Sequence, residues 1–144
     1  MNRIVDAVAV FSIPRTKRAL LIGMSHVGDT SANYVPCYLH DVCSIKKLLE
    51  ERYVFRTNNI SIMYDNWNLG TERPTARNVY KALFDLVLKT RFGDVLLFYF
   101  TGHGGRFLVG IDSNNSNFLE YICLADNSYL SGSVNINLYC FEYF

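Results

Sequence analysis

The sequence predicts an α/β domain with a parallel sheet. Three apolar segments of strand length, residues 18–24, 60–65 and 95–100, alternate with two segments whose apolar residues recur every three or four positions. Strands that alternate with helices in this way form a parallel sheet through right-handed crossovers, because each helix must bury its apolar stripe on the sheet it connects. The 144-residue chain is one domain at most, and its 50% hydrophobic share excludes disorder.

The first strand and the first helix follow from the pattern of residues 18–53. Residues 18–24 are basic at their entry, apolar for four residues and then closed by glycine, so they predict a core strand, followed by a polar loop up to Pro36. His40 or Asp41 is then placed to cap a helix. The apolar stripe of this helix is expected to comprise Val42, Ile45, Leu48, Leu49 and Tyr53.

The second strand, the second helix and the third strand repeat the pattern. Residues 60–65 alternate or run apolar over strand length, and Thr75 is the expected N-cap of the next helix. The buried stripe of that helix is expected to comprise Val79, Ala82, Leu83, Leu86 and Val87. Residues 95–100 are too few to span a membrane and lack a helical period, so they predict a strand buried on both faces.

His103 stands where the third strand ends, with glycine on both sides. Gly102, Gly104 and Gly105 remove side-chain bulk and allow backbone angles closed to other residues, which leaves the imidazole free at the rim of the sheet. Ligands of open α/β sheets collect at the carboxyl ends of strands, so this position suits a catalytic base. The alternative is a histidine that caps or fills a loop.

Residues 98–105, with the letters FYFTGHGG, resemble the histidine motif of the caspase-like cysteine peptidases, and specifically of the metacaspases. In that family a buried strand ends in a Ser-Gly-His-Gly run, and Thr101 here keeps the hydroxyl of the serine. The resemblance extends from Arg18 to about Asp126 and implies a caspase-like three-layer αβα sandwich with a mostly parallel sheet. It implies His103 as the general base and the backbone of the neighbouring Gly104 on the oxyanion side.

The resemblance also divides the chain into an N-terminal segment, residues 1–17, and a truncated peptidase C14-type domain, residues 18–144, whose sheet is incomplete at the C-terminus. The nucleophile of the family is a cysteine on the next core strand, in a motif like Asp-x-Cys-x-Ser-Gly, and this motif is absent from the sequence. Cys140 is the one downstream candidate. It stands between Tyr139 and Phe141, which suits packing better than an electropositive niche for a thiolate.

Specificity for basic residues is a further implication of the resemblance. In metacaspases the aspartate that Asp41 matches helps to form an acidic pocket for arginine or lysine, and Thr101 is expected to line the same pocket through its hydroxyl. A helix N-cap is an equally good explanation of Asp41. Where the family carries a cysteine three residues before this aspartate, the sequence has Tyr38, and Cys37 is displaced by one position.

Calcium is a candidate cofactor, although the reaction implied by the resemblance requires none. Many metacaspases bind calcium through acidic residues in the neighbourhood of residues 112–126, where this chain offers Asp112, Glu120 and Asp126. Calcium takes roughly six to eight oxygen ligands, and its affinity grows with the number of carboxylates. Here asparagines stand where the family often has more acids, so a solvated turn explains the segment at least as well.

Composition limits the expected partners and compartment. A net charge of +1 gives no electrostatic footprint for nucleic acid, no stretch approaches the roughly 20 apolar residues of a membrane span, and no cleavage site of a signal peptide stands out. No CxxC pair occurs, and three of the four cysteines lie in apolar surroundings, which predicts reduced core thiols in a cytoplasmic protein. The four are Cys37, Cys43, Cys123 and Cys140.

Three functions follow as alternatives. The first is a shortened caspase-like cysteine endopeptidase that cleaves peptides or proteins after arginine or lysine with a His-Cys dyad, of which only the histidine is present; alone it is expected to be nearly inert. The second is a catalytically inactive caspase-like domain that binds or regulates a partner, such as a caspase-like chain. The third, an unrelated α/β hydrolase or nucleotide-binding protein, is disfavoured because neither a Gly-rich phosphate loop nor a Gly-x-Ser-x-Gly elbow occurs.

Overall fold

The computed structural model describes residues 15–25, 38–112 and 115–131. Most of the expected N-terminal segment, together with Cys37 and Cys140, lies outside these ranges. Short 3-10 turns at Thr57–Asn59 and Trp67–Leu69 flank the second strand. The strands and helices, in chain order, are β1 (Lys17–Gly23), α1 (Tyr38–Glu51), β2 (Ile60–Tyr64), α2 (Ala76–Leu88), β3 (Val95–Thr101), β4 (Gly104–Asp112), β5 (Asn115–Cys123) and β6 (Tyr129–Ser131).

A parallel sheet with the strand order β2-β1-β3 forms the first part of the fold. In its centre Leu21 of β1 stands opposite Ile62 of β2 on one side and Tyr99 of β3 on the other. Both pairings are parallel, with α1 and α2 as the crossover connections. The order strand, helix, strand, helix, strand predicted from the sequence is therefore confirmed.

The two helices cover opposite faces of this sheet. Leu20 and Ile22 of β1 pack in one cluster with Val79 of α2. The alternate residue, Leu21, packs in a second cluster with Val42 of α1. All five side chains are at most 1% exposed, so the core lies on both faces of β1. Because successive strand side chains point to opposite faces, this arrangement is the expected three-layer αβα sandwich.

The buried stripes of the helices are narrower than predicted. Val42 and Leu49 of α1 are buried, whereas Leu48 and Tyr53 are exposed, and Val87 of α2 is also exposed. Leu48 lies about 100° around the helix from Leu49, on the edge of the stripe that turns towards solvent, and Tyr53 lies beyond the end of α1. Within the described ranges, neither helix is long and apolar enough to cross a membrane.

β3 is less buried than predicted. Phe100 and Thr101, at its carboxyl end, are buried, while Val95 and Leu96 are 42% and 37% exposed. The reason is the position of β3 at the edge of the described sheet, where it pairs with β1 on one side. The prediction of a strand buried on both faces is thus wrong for the first half of β3 and holds at the end that carries the histidine motif.

A separate antiparallel sheet follows the histidine. β4, β5 and β6 pair in that order, with a bulge between Leu108 and Gly110. The asparagines of this region suggested a solvated turn, yet β4 continues to Asp112 and β5 already begins at Asn115. Asparagine and glycine are depleted in strands, so the sequence pattern concealed this hairpin. Ile122 anchors the second sheet in the core beside α2.

The turn after α1 holds a backbone conformation that favours glycine. The Phe55 N–H donates to the Leu49 carbonyl at 3.0 Å, and Val54 between them has a φ of 56°. A left-handed residue just after the end of a helix is usually glycine. Val54 is β-branched and 75% exposed, so its side chain gains little burial to offset the strain.

Asp94 ties the start of β3 to the start of β1. Its carboxylate accepts hydrogen bonds from the Thr16 N–H at 2.7 Å, from the Arg18 guanidinium at 2.9 Å and from the Arg91 N–H at 3.0 Å. The side chain is 5% exposed. The two backbone N–H groups, followed by Arg18, lower the pKa of Asp94 to about 2. The carboxylate therefore stabilises the fold in its ionised form.

Replacing Val54 by glycine is expected to raise the free energy of unfolding by about 1 kcal/mol, because the change removes left-handed strain at a side chain that packs little. Urea denaturation measures the effect. Val54→Ala is the matched control: it keeps a Cβ, so it should retain most of the strain. An unchanged or lower stability of Val54→Gly would contradict the left-handed conformation of this turn.

Replacing Asp94 by asparagine is expected to lower stability at neutral pH and to flatten its pH dependence. Because the folded pKa of about 2 is below the ordinary 3.8, the stabilisation is fully present above the ordinary value and is lost as pH falls through the folded one. Urea denaturation at about pH 7 and about pH 3 tests this. Wild type should lose more stability on acidification than Asp94→Asn, and the exposed Glu51→Gln is the control. An equal loss of stability in wild type and Asp94→Asn would contradict a stabilising role of the ionised Asp94 carboxylate.

Candidate functional site

The candidate site lies at the carboxyl ends of β1 and β3, where the parallel sheet meets the antiparallel one. Thr101 ends β3, His103 stands two residues later, and Gly104 opens β4. The Met24 N–H donates to the Thr101 carbonyl at 2.9 Å, and the Cys123 N–H donates to the His103 carbonyl at 2.9 Å. The backbone on the two sides of the site is therefore bonded to different elements, the segment after β1 and the end of β5.

The glycines around the histidine are required by packing. A Cβ on Gly102 would lie 2.7 Å from the Cβ of Met24 and 2.7 Å from the Phe100 ring, and a Cβ on Gly105 would lie 2.6 Å from the Tyr121 hydroxyl. No glycine of the motif has a left-handed φ. The expectation that these glycines supply backbone angles closed to other residues is therefore wrong, because close contact with neighbouring atoms demands them instead.

The His103 imidazole is half-buried beside the first turn of α1. Its centroid lies 6.3 Å from that of the Tyr38 ring, and the two ring planes are at 84°. Aromatic rings favour such an edge-to-face arrangement. The ring thus lies at the end of a core strand and is partly accessible to solvent, as a catalytic base requires, and its role as a base stays a prediction.

The structure brings Asp41 and Thr101 together. The Thr101 hydroxyl donates to Oδ2 of Asp41 at 3.5 Å, while the Asp41 side chain remains 36% exposed, with Nδ1 of His40 3.9 Å from Oδ1. α1 begins at Tyr38, so Asp41 lies inside the first turn. The prediction that His40 or Asp41 caps this helix is therefore wrong, because the helix starts earlier than the polar residues suggested.

Asp65 is a buried carboxylate at the same edge of the sheet that the sequence pattern did not single out. It follows β2, is 7% exposed and accepts a hydrogen bond from the Ser25 N–H at 2.9 Å. Its own N–H donates to the Gly23 carbonyl at 3.4 Å. Asp65 thus holds the chain where it leaves β1. The sequence placed Asp65 at the carboxyl end of the predicted strand 60–65, a position close to the one that pointed to His103.

The model of the metacaspase, peptidase C14 domain family matches residues 17–134. The chain belongs to this family. Metacaspase-4 of Arabidopsis thaliana is 42% identical over 91 residues, which cover 63% of this chain and 21% of that protein. Metacaspase-6 of the same plant is 41% identical over 90 residues, covering 62% and 24%. Metacaspase-1 of Plasmodium falciparum is 38% identical over 103 residues, covering 70% and 16%.

The family match confirms the resemblance first noted at residues 98–105. It places the chain among the caspase-like cysteine peptidases, and the parallel sheet between two helix layers agrees with that fold. The matched segments make up less than a quarter of the length of the three metacaspases named above. Membership therefore establishes the kind of domain.

The described strands do not bring the expected calcium residues of this metacaspase domain together. Glu120 of β5 stands opposite Arg106, and Asp112 lies six residues further along β4, which is about 20 Å at 3.3 Å per residue. The Asp126 carboxylate accepts a hydrogen bond from the Ala76 N–H at the start of α2, at 3.1 Å. Among the residues described, no group of three or more His, Cys, Asp or Glu could hold a metal ion. Calcium binding stays a prediction.

The two cysteines within the described ranges, Cys43 and Cys123, are free thiols. Burial raises the pKa of the Cys123 thiol, which disfavours the thiolate that attacks substrate. Cys43 is exposed on α1, and its Sγ lies 3.8 Å from the Tyr64 hydroxyl. Tyr64 ends β2, which is two strand spacings, about 10 Å, from β3. Cys43 therefore contacts a residue of β2, and β1 lies between that strand and the one that leads to His103. The expectation of core thiols is wrong for Cys43, and neither residue suits the metacaspase nucleophile.

Replacing Gly102 by alanine is expected to lower the free energy of unfolding by about 1–3 kcal/mol, because the new methyl group overlaps Met24 and the Phe100 ring. Gly110→Ala is the matched control, since a Cβ there meets no atom within 4 Å. Urea denaturation of both variants measures the difference. Equal stability of the two variants would refute the packing constraint at the histidine motif.

Proposed function

We propose that this chain supplies the general base and the basic-residue pocket of a caspase-like cysteine endopeptidase that cleaves peptides after arginine or lysine. The supporting observation is that His103 follows a strand end whose Thr101 hydroxyl is bonded to the Asp41 carboxylate. Thr101, which binds the pocket carboxylate, and the base are two residues apart in the chain, so their Cα atoms are at most about 7 Å apart. This spacing suits a substrate whose basic side chain and scissile bond belong to one residue.

Asp41 is the proposed partner of the basic side chain of the substrate. Its carboxylate is open to solvent on one side, while the Thr101 hydroxyl orients one of its oxygens. Its place in the first turn of α1 suits a carboxylate, because the helix N-terminus attracts negative charge. A guanidinium or ammonium group binds such a carboxylate through charge-assisted hydrogen bonds, which are stronger than neutral ones.

His103 is the proposed general base. Its imidazole accepts the proton of the cysteine thiol, the thiolate attacks the scissile carbonyl, and the imidazolium then returns the proton to the leaving amine. The backbone of Gly104 is the proposed neighbour of the oxyanion that forms on that carbonyl, since Gly104 is exposed at the start of β4. The reaction uses no cofactor. The backbone bond from Cys123 to His103 supports this role, because a base acts best when its geometry is fixed in advance.

The nucleophile of this proposal is a cysteine supplied from beyond the present sequence, within a longer protein or by a caspase-like partner chain. The sequence contains no Asp-x-Cys-x-Ser-Gly motif, and neither Cys43 nor Cys123 suits the role. A general base contributes about 10²–10⁴-fold to rate, whereas loss of a nucleophile costs on the order of 10⁶-fold. By itself the chain is therefore expected to bind peptides and turn them over very slowly.

The pocket is tested by the binding of two matched peptides to this chain. A peptide that ends in arginine is expected to bind more tightly than the same peptide ending in citrulline, which keeps the shape and lacks the charge. Asp41→Asn should reduce this preference by about tenfold, the loss of one hydrogen bond to a charged group. Calorimetry measures both affinities, with Asp85→Asn on α2 as the remote control. Equal affinity of wild type for the two peptides would contradict the pocket.

The base is tested by cleavage after a nucleophile has been supplied. The chain is joined to the part of Arabidopsis thaliana metacaspase-4 that follows the matched segment, and hydrolysis of an arginine peptide is measured. His103→Ala is expected to lower kcat/KM by about 10²–10⁴-fold and to leave the affinity for the arginine peptide unchanged. Cleavage retained by His103→Ala would assign the base to another residue.

A further inference from the structure

The first turn of α1 faces the end of β3 through two side chains. Tyr38 lies edge-to-face with the His103 ring, with 6.3 Å between the centroids, and Asp41 accepts the hydrogen bond of Thr101. Tyr38 and Asp41 are three residues apart, so they share one face of the helix. Thr101 and His103 are two residues apart on the strand and the segment that continues it. The first turn of α1 therefore contacts the end of β3 and the segment after it at two points.

We propose that Tyr38 is a positioning residue, which holds the His103 imidazole in one orientation beyond the carboxyl end of β3. The inference deepens the proposed function and rests on it, since an oriented imidazole matters if His103 acts as the base. The structure supports Tyr38 in this role because its ring is itself anchored: it packs against the core cluster that includes Met24, Phe100 and Ile122. An anchored ring steadies its neighbour, whereas a surface side chain does not.

The need for such a residue follows from the geometry of the motif. The bond from the Cys123 N–H fixes the backbone of His103, yet it leaves the two side-chain torsions of the histidine to be set by what the ring touches. Both chain neighbours of His103 are glycine, so neither contributes a side chain against the imidazole. Groups from other elements that touch the ring therefore contribute to its orientation, and Tyr38 of α1 is one of them.

Tyr38 contacts the His103 ring, whereas Asp41 binds the Thr101 hydroxyl. Replacing one of these two residues should therefore affect a different step from replacing the other. Loss of the Tyr38 ring should change the orientation of the base and leave the pocket carboxylate bonded to Thr101. In the enzyme fused to a nucleophile, Tyr38→Leu should lower kcat with little effect on KM for an arginine peptide. Asp41→Asn should act mainly on KM. A merely structural role of Tyr38 would move both constants together.

The direct test uses this chain without any turnover. Nuclear Overhauser contacts between the Tyr38 and His103 ring protons should be present in wild type. Tyr38→Phe should keep the side-chain resonances of His103 and its rate of acylation by diethyl pyrocarbonate. Tyr38→Leu should shift those resonances and change the rate by about two- to tenfold, the population change expected from loss of one aromatic pair. His40, whose side chain is 84% exposed, is the internal control.

Absence of the ring contacts in wild type overturns the proposal, and this observation needs no variant to fold. Unchanged His103 resonances and reactivity in a folded Tyr38→Leu also overturn it, as does an equally large change in Tyr38→Phe, because the contact would then depend on the hydroxyl. These outcomes are distinct from failure of the proposed function. If His103→Ala still cleaves, His103 is not the base, but the ring orientation measured in wild type would stand.

Discussion

Two backbone hydrogen bonds hold the place where the parallel sheet passes into the antiparallel one. The Met24 N–H binds the Thr101 carbonyl, and the Cys123 N–H binds the His103 carbonyl, both at 2.9 Å. Residues 101–103 form this connection between the two sheets, called the crossing below, and the chain there has no room for a side chain at Gly102. The histidine is therefore the side chain that the crossing presents, and its position follows from how two sheets are joined. The base proposed at this position therefore has its backbone fixed in advance.

The parallel topology explains why the polar residues of the site come from distant parts of the chain. The carboxyl ends of parallel strands meet at one edge, so Asp65 after β2 and His103 after β3 flank the end of β1. Asp65 binds the Ser25 N–H and so fixes where the chain departs from β1 towards α1. The first turn of α1 then delivers Asp41 to Thr101. The two carboxylates thus have separate contacts: Asp65 binds the backbone after β1, and Asp41 binds the Thr101 hydroxyl.

Local patterns in the sequence were sufficient for the core and for the position of the histidine. The alternation around Leu21 predicts a strand between two helix layers, because inward-facing residues repeat with a fixed period. The burial of β3 was overpredicted. Val95 is exposed because β3 has a neighbouring strand on one side in the described sheet, and the order of strands in a sheet cannot be deduced from the local sequence. The role of Gly102 was misassigned for a related reason: a clash with Met24 and Phe100 is a property of the folded structure. The family match over residues 17–134 supplied what these patterns lack, the class of chemistry.

The central claim is that the two backbone hydrogen bonds fix the position of the His103 backbone where the two sheets meet, while contacts of the ring set its orientation. Amide hydrogen exchange of Met24 and Cys123 tests it most directly. If the claim holds, both amides exchange as slowly as that of Ile22 in the centre of β1, because their bonds open when the whole domain unfolds. Exchange of either amide far faster than that of Ile22 would show that the crossing opens locally, and a fixed position for His103 would then be contradicted.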